Sequence, residues 1–197
     1  MTRIPMALTI AGSDSGGGAG IQADLKTFQM RGVYGMSVIT AITAQNTRGV
    51  FDIHPVPQST VRAQVQAIAE DLPPAAVKIG MLGTAEIIEC VAACLQTYRL
   101  GPLTLDPVAK GGAPLLQQNA IAALIACLLP QADIITPNLP EAEALTGIPI
   151  TDDASAAEAA ARLRALGAKS VVIKGGHGGS SQDAVCRDRV FLPDRTF

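Results

Sequence analysis

Short apolar runs alternate along this chain with segments of helical periodicity, and that alternation limits the fold more than any other feature. Residues 6–11, 36–44, 76–79, 103–105, 133–135 and 170–173 read as strands, because each is brief, apolar and bounded by glycine, proline or polar residues. Segments 20–31, 60–71, 84–98, 118–129, 140–146 and 155–166 space their apolar residues as helices do, and the last places Ser155 and Glu158 at capping-box spacing. Strand and helix in turn predict a layered α/β fold with a largely parallel central sheet. With 197 residues, 48% of them hydrophobic, the chain is long enough for one domain with a substantial core. No internal repeat, low-complexity tract or interdomain linker interrupts it.

In such sheets ligands bind beyond the carboxyl ends of the strands. The residues after each apolar run are therefore the ones that matter: the Gly12 loop, Gln45-Asn46-Thr47, Gly80-Met81-Leu82-Gly83, Asp106-Pro107-Val108, Thr136-Pro137-Asn138 and Lys174-Gly175-Gly176-His177. The alternation predicts that these six strand ends meet on one rim. The first loop has glycine at 16, 17, 18 and 20 with Ala19 interposed, so its backbone N–H groups can approach a small anionic or polar ligand, and the helix beyond adds a positive dipole end. A tight turn that merely lets strand and helix pack has the same composition. Two familiar phosphate loops do not fit. G-x-G-x-x-G would need glycine where Ile21 or Ala23 stands, and a P-loop needs Gly-Lys-Ser/Thr where the chain has Leu25-Lys26-Thr27.

Fifteen Lys and Arg against seventeen Asp and Glu leave a net charge of −2, and aromatic residues make up 3%. Neither a phosphate-tracking patch nor a stacking platform follows, so nucleic acid is not an expected partner. No apolar run nears the roughly 18 residues of a spanning helix, and the start Met-Thr-Arg-Ile-Pro lacks a signal-peptide layout, so neither is a membrane. Cys90, Cys94, Cys127 and Cys186 form no C-x-x-C pair and keep no zinc-ligand spacing with His54 or His177. They read as buried thiols in a reducing, cytoplasmic setting, Cys90 and Cys94 on one helix face.

Among the rim residues, Asp106 ends a strand and Pro107 fixes the chain beyond it. Its carboxylate suits a magnesium ion or a water near phosphates, or equally a turn cap. Asn138 and Glu141 stand three apart at a helix start, where Glu141 either holds magnesium through water or favours the helix dipole. Lys174 ends an apolar strand and precedes two glycines, which sets its ammonium to meet a phosphate oxygen, or else solvent. Gln45 offers a donor and an acceptor, as an amino group beside a ring nitrogen requires. Met81 and Val108 supply apolar walls for such a ring, a role they share with ordinary core residues.

Several blocks together resemble one family, the hydroxymethylpyrimidine and phosphomethylpyrimidine kinases of thiamine biosynthesis, within the ribokinase-like superfamily. They are Ala-Gly-Ser-Asp-Ser-Gly-Gly-Gly-Ala-Gly-Ile-Gln-Ala-Asp-Leu-Lys-Thr at 11–27, Thr-Ala-Gln-Asn-Thr at 43–47, Lys-Ile-Gly-Met-Leu-Gly at 78–83, Leu-Asp-Pro-Val at 105–108, Thr-Pro-Asn-Leu-Pro-Glu-Ala-Glu at 136–143 and Lys-Gly-Gly-His at 174–177. The resemblance implies a three-layer α-β-α fold with a largely parallel sheet. It also implies ATP-dependent phosphorylation of the hydroxymethyl oxygen of 4-amino-5-hydroxymethyl-2-methylpyrimidine and then of its monophosphate, with magnesium, in a cytoplasmic homodimer. Carried over by position, Gln45 pairs with the pyrimidine edge, and Gly12, Ala19, Met81 and Val108 line its pocket. Asp106, Asn138 and Lys174 face the nucleotide phosphates, and Glu141 with Asp106 faces the metal.

The chain departs from that family pattern twice. Val108 is followed at once by Ala109-Lys110-Gly111-Gly112, two residues short of the usual loop, and the family's Gly-Thr-Gly-Cys anion-hole segment does not occur before Phe197. The expectation is therefore a single ribokinase-like kinase domain over 1–197 that lacks its C-terminal part, with no catalytic residue assigned and with phosphoryl transfer and nucleotide binding weakened. A catalytically inactive pyrimidine-binding remnant and a pyridoxal-type kinase are the competing readings. A nicotinamide-dependent oxidoreductase is disfavoured by the glycine spacing and by the lack of a suitable acid after the second strand.

Overall fold

The first apolar run forms strand β1 (Met6–Ala11), and helix α1 (Gly20–Met30) returns the chain to a parallel neighbour, β2 (Tyr34–Ile39). The computed structural model describes residues 4–107, 118–176 and 186–195. After β2 the chain leaves the sheet as an antiparallel hairpin, β3 (Ala41–Asn46) and β4 (Gly49–Pro55). Helix α2 (Gln58–Asp71) then leads to β5 (Ala76–Ile79) on the other side of β1. From there α3 (Ala85–Tyr98), β6 (Leu103–Leu105), α4 (Gln118–Ala123) and β7 (Ile134–Ile135) step outward. They are followed by α5 (Leu139–Thr146), α6 (Asp153–Ala165) and β8 (Ser170–Ile173), and β9 (Arg189–Phe191) runs antiparallel along the edge. The sheet order is β2-β1-β5-β6-β7-β8-β9.

The chain reverses direction across the sheet after β2, and right-handed crossovers then send α1 and α2 to opposite faces. Leu8, Ile10, Val38, Ile79, Leu105, Ile135, Val171 and Ile173 are fully or almost fully buried in one core with Val61, Val65, Ile88, Val91, Leu128 and Leu163 from the helices. The alternate residues Thr9, Lys78 and Asp106 look the other way, where Asp24 of α1 meets Thr9 and Lys78, and Lys78 lies beside Asp106. One face of the sheet is thus apolar and the other carries chemistry.

Strands β1, β5, β6 and β8 match the sequence expectation residue for residue. The run 36–44 does not. It spans the end of β2 and the start of β3, in different sheets, because the corner at Thr40 is itself buried: Thr40 N–H extends the ladder to Ala11 O, its hydroxyl donates to Met81 O, and its carbonyl receives Val56 N–H. The segment 118–129 is α-helical only to Ala123 and continues as a π turn (Leu124–Leu128) and a 3₁₀ turn (Leu129–Gln131). The cap of α6 is formed by Asp152 and Ser155 rather than by Ser155 and Glu158, since Asp152 accepts from Ser155 N–H and Ser155 Oγ accepts from Asp152 N–H. Cys90 and Cys94 are buried as expected, whereas Cys127 is half-buried and Cys186 exposed.

Ile79→Ala should lower unfolding free energy by about 2–5 kcal/mol, because the site is closed on all sides and collapses poorly. Met30→Ala, 84% exposed at the end of α1, should stay within about 0.5 kcal/mol. Urea unfolding midpoints of the two variants measure the contrast.

Candidate functional site

The glycine loop after β1 is organised around a carboxylate of its own chain. Asp14 is buried, and its Oδ1 accepts Gly16 N–H at 2.8 Å while its Oδ2 accepts Gly18 N–H at 2.9 Å and Ala19 N–H at 2.8 Å. Amides that the composition offers to an external anion are therefore already engaged, which corrects the anion-loop expectation for these positions. Gly17 and Gly20 take φ of +75° and +55°, a backbone that lets the loop wrap one carboxylate, and a side chain at Gly20 would collide with Gly12 O. Asp14 N–H donates to Gln22 Oε1 at 2.7 Å, and Lys26 Nζ reaches Gly17 O at 2.7 Å from outside.

That loop holds the hairpin. Ser15 Oγ donates to Gln45 O at 2.6 Å and accepts Gln45 N–H at 2.8 Å, and Ser13 Oγ accepts Thr43 N–H while Ser13 O accepts the Thr43 hydroxyl. Gln45 thus stands over the loop from β3 and not at the tip of a central strand. Gly12 N–H donates to Met81 O at 3.0 Å, and the Gly12 Cα leaves no room between it and the Met81 methyl. Ala19 caps α1 at the other end of the loop, exposed.

Farther along the same edge lies a chain of charges. Lys174 Nζ donates to Asp106 Oδ1 at 2.7 Å, the Thr136 hydroxyl reaches the same oxygen at 3.3 Å, and Lys78 Nζ lies 3.9 Å from Asp106 Oδ2. Lys78 also donates to Asp24 Oδ2 at 3.0 Å, and the Thr9 hydroxyl donates to that oxygen at 2.6 Å. The ammonium of Lys78 lies over Gly80, where a Cβ would meet Nζ at 2.9 Å, so the glycine makes room for the charge. Lys174 is not stranded as a lone buried cation: it is paired, and its side chain is 39% exposed.

Asn138 pairs with Lys174 in a parallel bridge, which brings it to this edge. Its side chain and that of Glu141 form a reciprocal cap on α5, Asn138 Oδ1 accepting Glu141 N–H at 2.9 Å and Glu141 Oε2 accepting Asn138 N–H at 2.8 Å. Both are buried and cap α5, a role the sequence reading did not assign them, whatever else they do. Gly12, Ala19, Gln45, Met81, Asp106, Asn138, Glu141 and Lys174 accordingly sit at or over adjoining strand tips β1, β5, β6, β7 and β8. Val108 lies outside the described residues. A neighbouring cavity of about 240 Å³ between hairpin, α3 and α4 shares Met81 with this group. Among the described residues no cluster of three metal-ligating His, Cys, Asp or Glu side chains occurs.

Sequence reasoning missed Asp14, Asp24 and Lys78 as individuals. Lys78 had a usable signal, a cation in the middle of the otherwise apolar Ala-Val-Lys-Ile, which a buried strand tolerates only beside a carboxylate. Asp14 and Asp24 had none beyond lying in the quoted block.

Parallel strands that present polar tips to one edge, beneath a glycine loop and an overhanging hairpin, define the ribokinase-like class of α/β proteins. The pattern of the phosphomethylpyrimidine kinase family matches residues 14–197. The chain is 64% identical over 196 residues to hydroxymethylpyrimidine/phosphomethylpyrimidine kinase of Haemophilus influenzae, covering 98% of this chain and 73% of that protein. Against the Bacillus subtilis protein of the same name it is 56% identical, covering 87% of this chain and 64% of the relative. The crystal structure of phosphomethylpyrimidine kinase from Clostridium difficile superposes with a TM-score of 0.88 at 46% identity, over 98% of this chain and 83% of that one. The chain belongs to the phosphomethylpyrimidine kinase family.

The Asp14 carboxyl gives the site a pH signature. Burial alone would raise its pKa, but the amides of Gly16, Ala19, Gly18 and Gly17 outweigh burial and hold it below the ordinary 3.8. Its contribution to stability is complete above that value and is lost as pH falls through the lower folded-state value. The gap in unfolding free energy between wild type and Asp14→Asn should therefore narrow as pH drops from about 5 to about 2, measured by urea denaturation across that range.

Proposed function

We propose that the protein transfers the γ-phosphoryl group of ATP to the hydroxymethyl oxygen of 4-amino-5-hydroxymethyl-2-methylpyrimidine, and then to the resulting monophosphate. One observation carries this reading: residues suited to a pyrimidine and residues suited to phosphates lie along one edge of the central sheet or, for Gln45, on the hairpin held over it. Gln45, held over the loop by Ser15, would meet the amino group and ring nitrogen of the pyrimidine, with Gly12, Ala19, Met81 and Val108 around the ring. Names of the relatives support the substrate, and solved pyridoxal kinases of the same fold carry ATP analogues, as in the Staphylococcus aureus enzyme with AMP-PCP and pyridoxal.

At the phosphate end, Lys174 is held by Asp106 with its ammonium partly open to solvent, so a phosphate oxygen can be met with little loss of pairing. Asn138 and the turn before α5 would stand beside the nucleotide phosphates. Magnesium fits the hard oxygen donors here, Asp106 directly and Glu141 through water, in keeping with an ion that one or two carboxylates and substrate phosphates hold. When bound, it would neutralise charge on the phosphates undergoing transfer. Asp106 would then exchange part of its contact with Lys174 for the ion, leaving that lysine to the phosphate. We place the protein in a reducing, cytoplasmic compartment, supported by the free state of all four cysteines. No helix among the described residues is long and apolar enough to cross a membrane.

An assay of ADP release with mass detection of product should show the pyrimidine alcohol phosphorylated in preference to pyridoxal. Turnover of pyridoxal alone would reject the reading. Gln45→Ala should raise KM for the pyrimidine about tenfold and leave KM for ATP unchanged, the cost of one unmade hydrogen bond pair. Lys174→Ala should lower kcat about 10²-fold.

We further assign a homodimer. Ile42 and Phe51 of the hairpin are 55% and 69% exposed, and a two-stranded ribbon gains from a second apolar surface. Sedimentation should give twice the chain mass, and Phe51→Asp should shift it toward the monomer. A wild-type monomer at all concentrations would reject the assignment.

A further inference from the structure

We propose that Asp14 is the positioning residue of the pyrimidine pocket, its carboxylate fixing both walls of that pocket through the loop it gathers. The inference rests on the pyrimidine reading above. On one side, Asp14 Oδ2 holds Ala19 N–H at 2.8 Å and so sets where α1 begins. On the other, Oδ1 holds Gly16 N–H, next to Ser15, and the Ser15 hydroxyl clasps the backbone of Gln45 from both its N–H and its carbonyl.

The chemistry demands a carboxylate. Oδ2 accepts two amides and Oδ1 a third, so the group must present acceptors on both branches. Asparagine fails because in either orientation its NH₂ faces a backbone N–H, that of Gly16 or those of Gly18 and Ala19, donor against donor. Removing the side chain leaves inward-pointing amides around a small void lined by backbone N–H, which is a receptor for a one-carbon carboxylate. The left-handed backbone at Gly17 and Gly20 keeps that void shaped when the side chain is gone.

Asp14→Ala should raise KM for the pyrimidine at least about tenfold, as loss of charge-assisted hydrogen bonds implies, while KM for ATP stays within about twofold. Titrating sodium formate should recover much of the pyrimidine KM in Asp14→Ala and raise its Tm, with chloride at equal ionic strength as control. Asp14→Asn should show the defect without rescue. KM values for both substrates rising together, an unaltered pyrimidine KM, or an Asp14→Ala variant indifferent to formate would each overturn the proposal. Should Asp14→Ala not fold, Ser15→Ala carries the test, since its hydroxyl is at the surface: the pyrimidine KM should rise and the ATP KM should not, and an unchanged pyrimidine KM overturns the proposal. If wild type does not phosphorylate the pyrimidine, the functional reading fails, and the formate-dependent Tm of Asp14→Ala still reports on the loop.

Discussion

A lysine in the middle of a parallel strand is the constraint around which this edge of the sheet is arranged. Lys78 sits on a strand flanked by β1 and β6, and two carboxylates reach it, Asp24 from α1 and Asp106 from the tip of β6. The first pairing sets the rotation of α1 against the sheet. The second delivers Asp106 to Lys174, two strands away. Charge therefore alternates across the strands, perpendicular to their length, and Gly80 supplies the gap through which it runs. Pairs of this kind contribute little net stability once desolvation is counted, but they specify geometry.

The loop after β1 solves a different problem. A helix start with several adjacent amides ordinarily attracts a bound anion. Here the chain fills that position itself, so the loop is rigid before any ligand arrives. The cation of Lys174, paired with Asp106, lies at the far end of the edge. Gln45 over the loop and Lys174 beside Asp106 thereby stand at opposite ends of one line of strand tips.

The parts of this architecture legible in the sequence are those where a single physical cause acted. Strands β1, β5, β6 and β8 are buried on at least one face and end in glycine, aspartate or lysine, so hydrophobicity alone marks their limits. The corner at Thr40 was illegible because burial continues through it, and burial was the only signal in use. Asp152 displaced Ser155 as the cap of α6 because two residues of cap type lie three apart, and local spacing does not rank them. At the site, the candidate residues other than Val108 lie at or over this edge, whereas the roles of Asp14 and Asp24 exist only through contacts that span loop and helix.

The hairpin hangs from the sheet at Thr40 and is stitched to the glycine loop by two serines, Ser13 and Ser15. Hairpin and glycine loop are consequently tied into one mechanical body. A swing of the ribbon would therefore drag the loop with it, so the two move on the sheet as a unit.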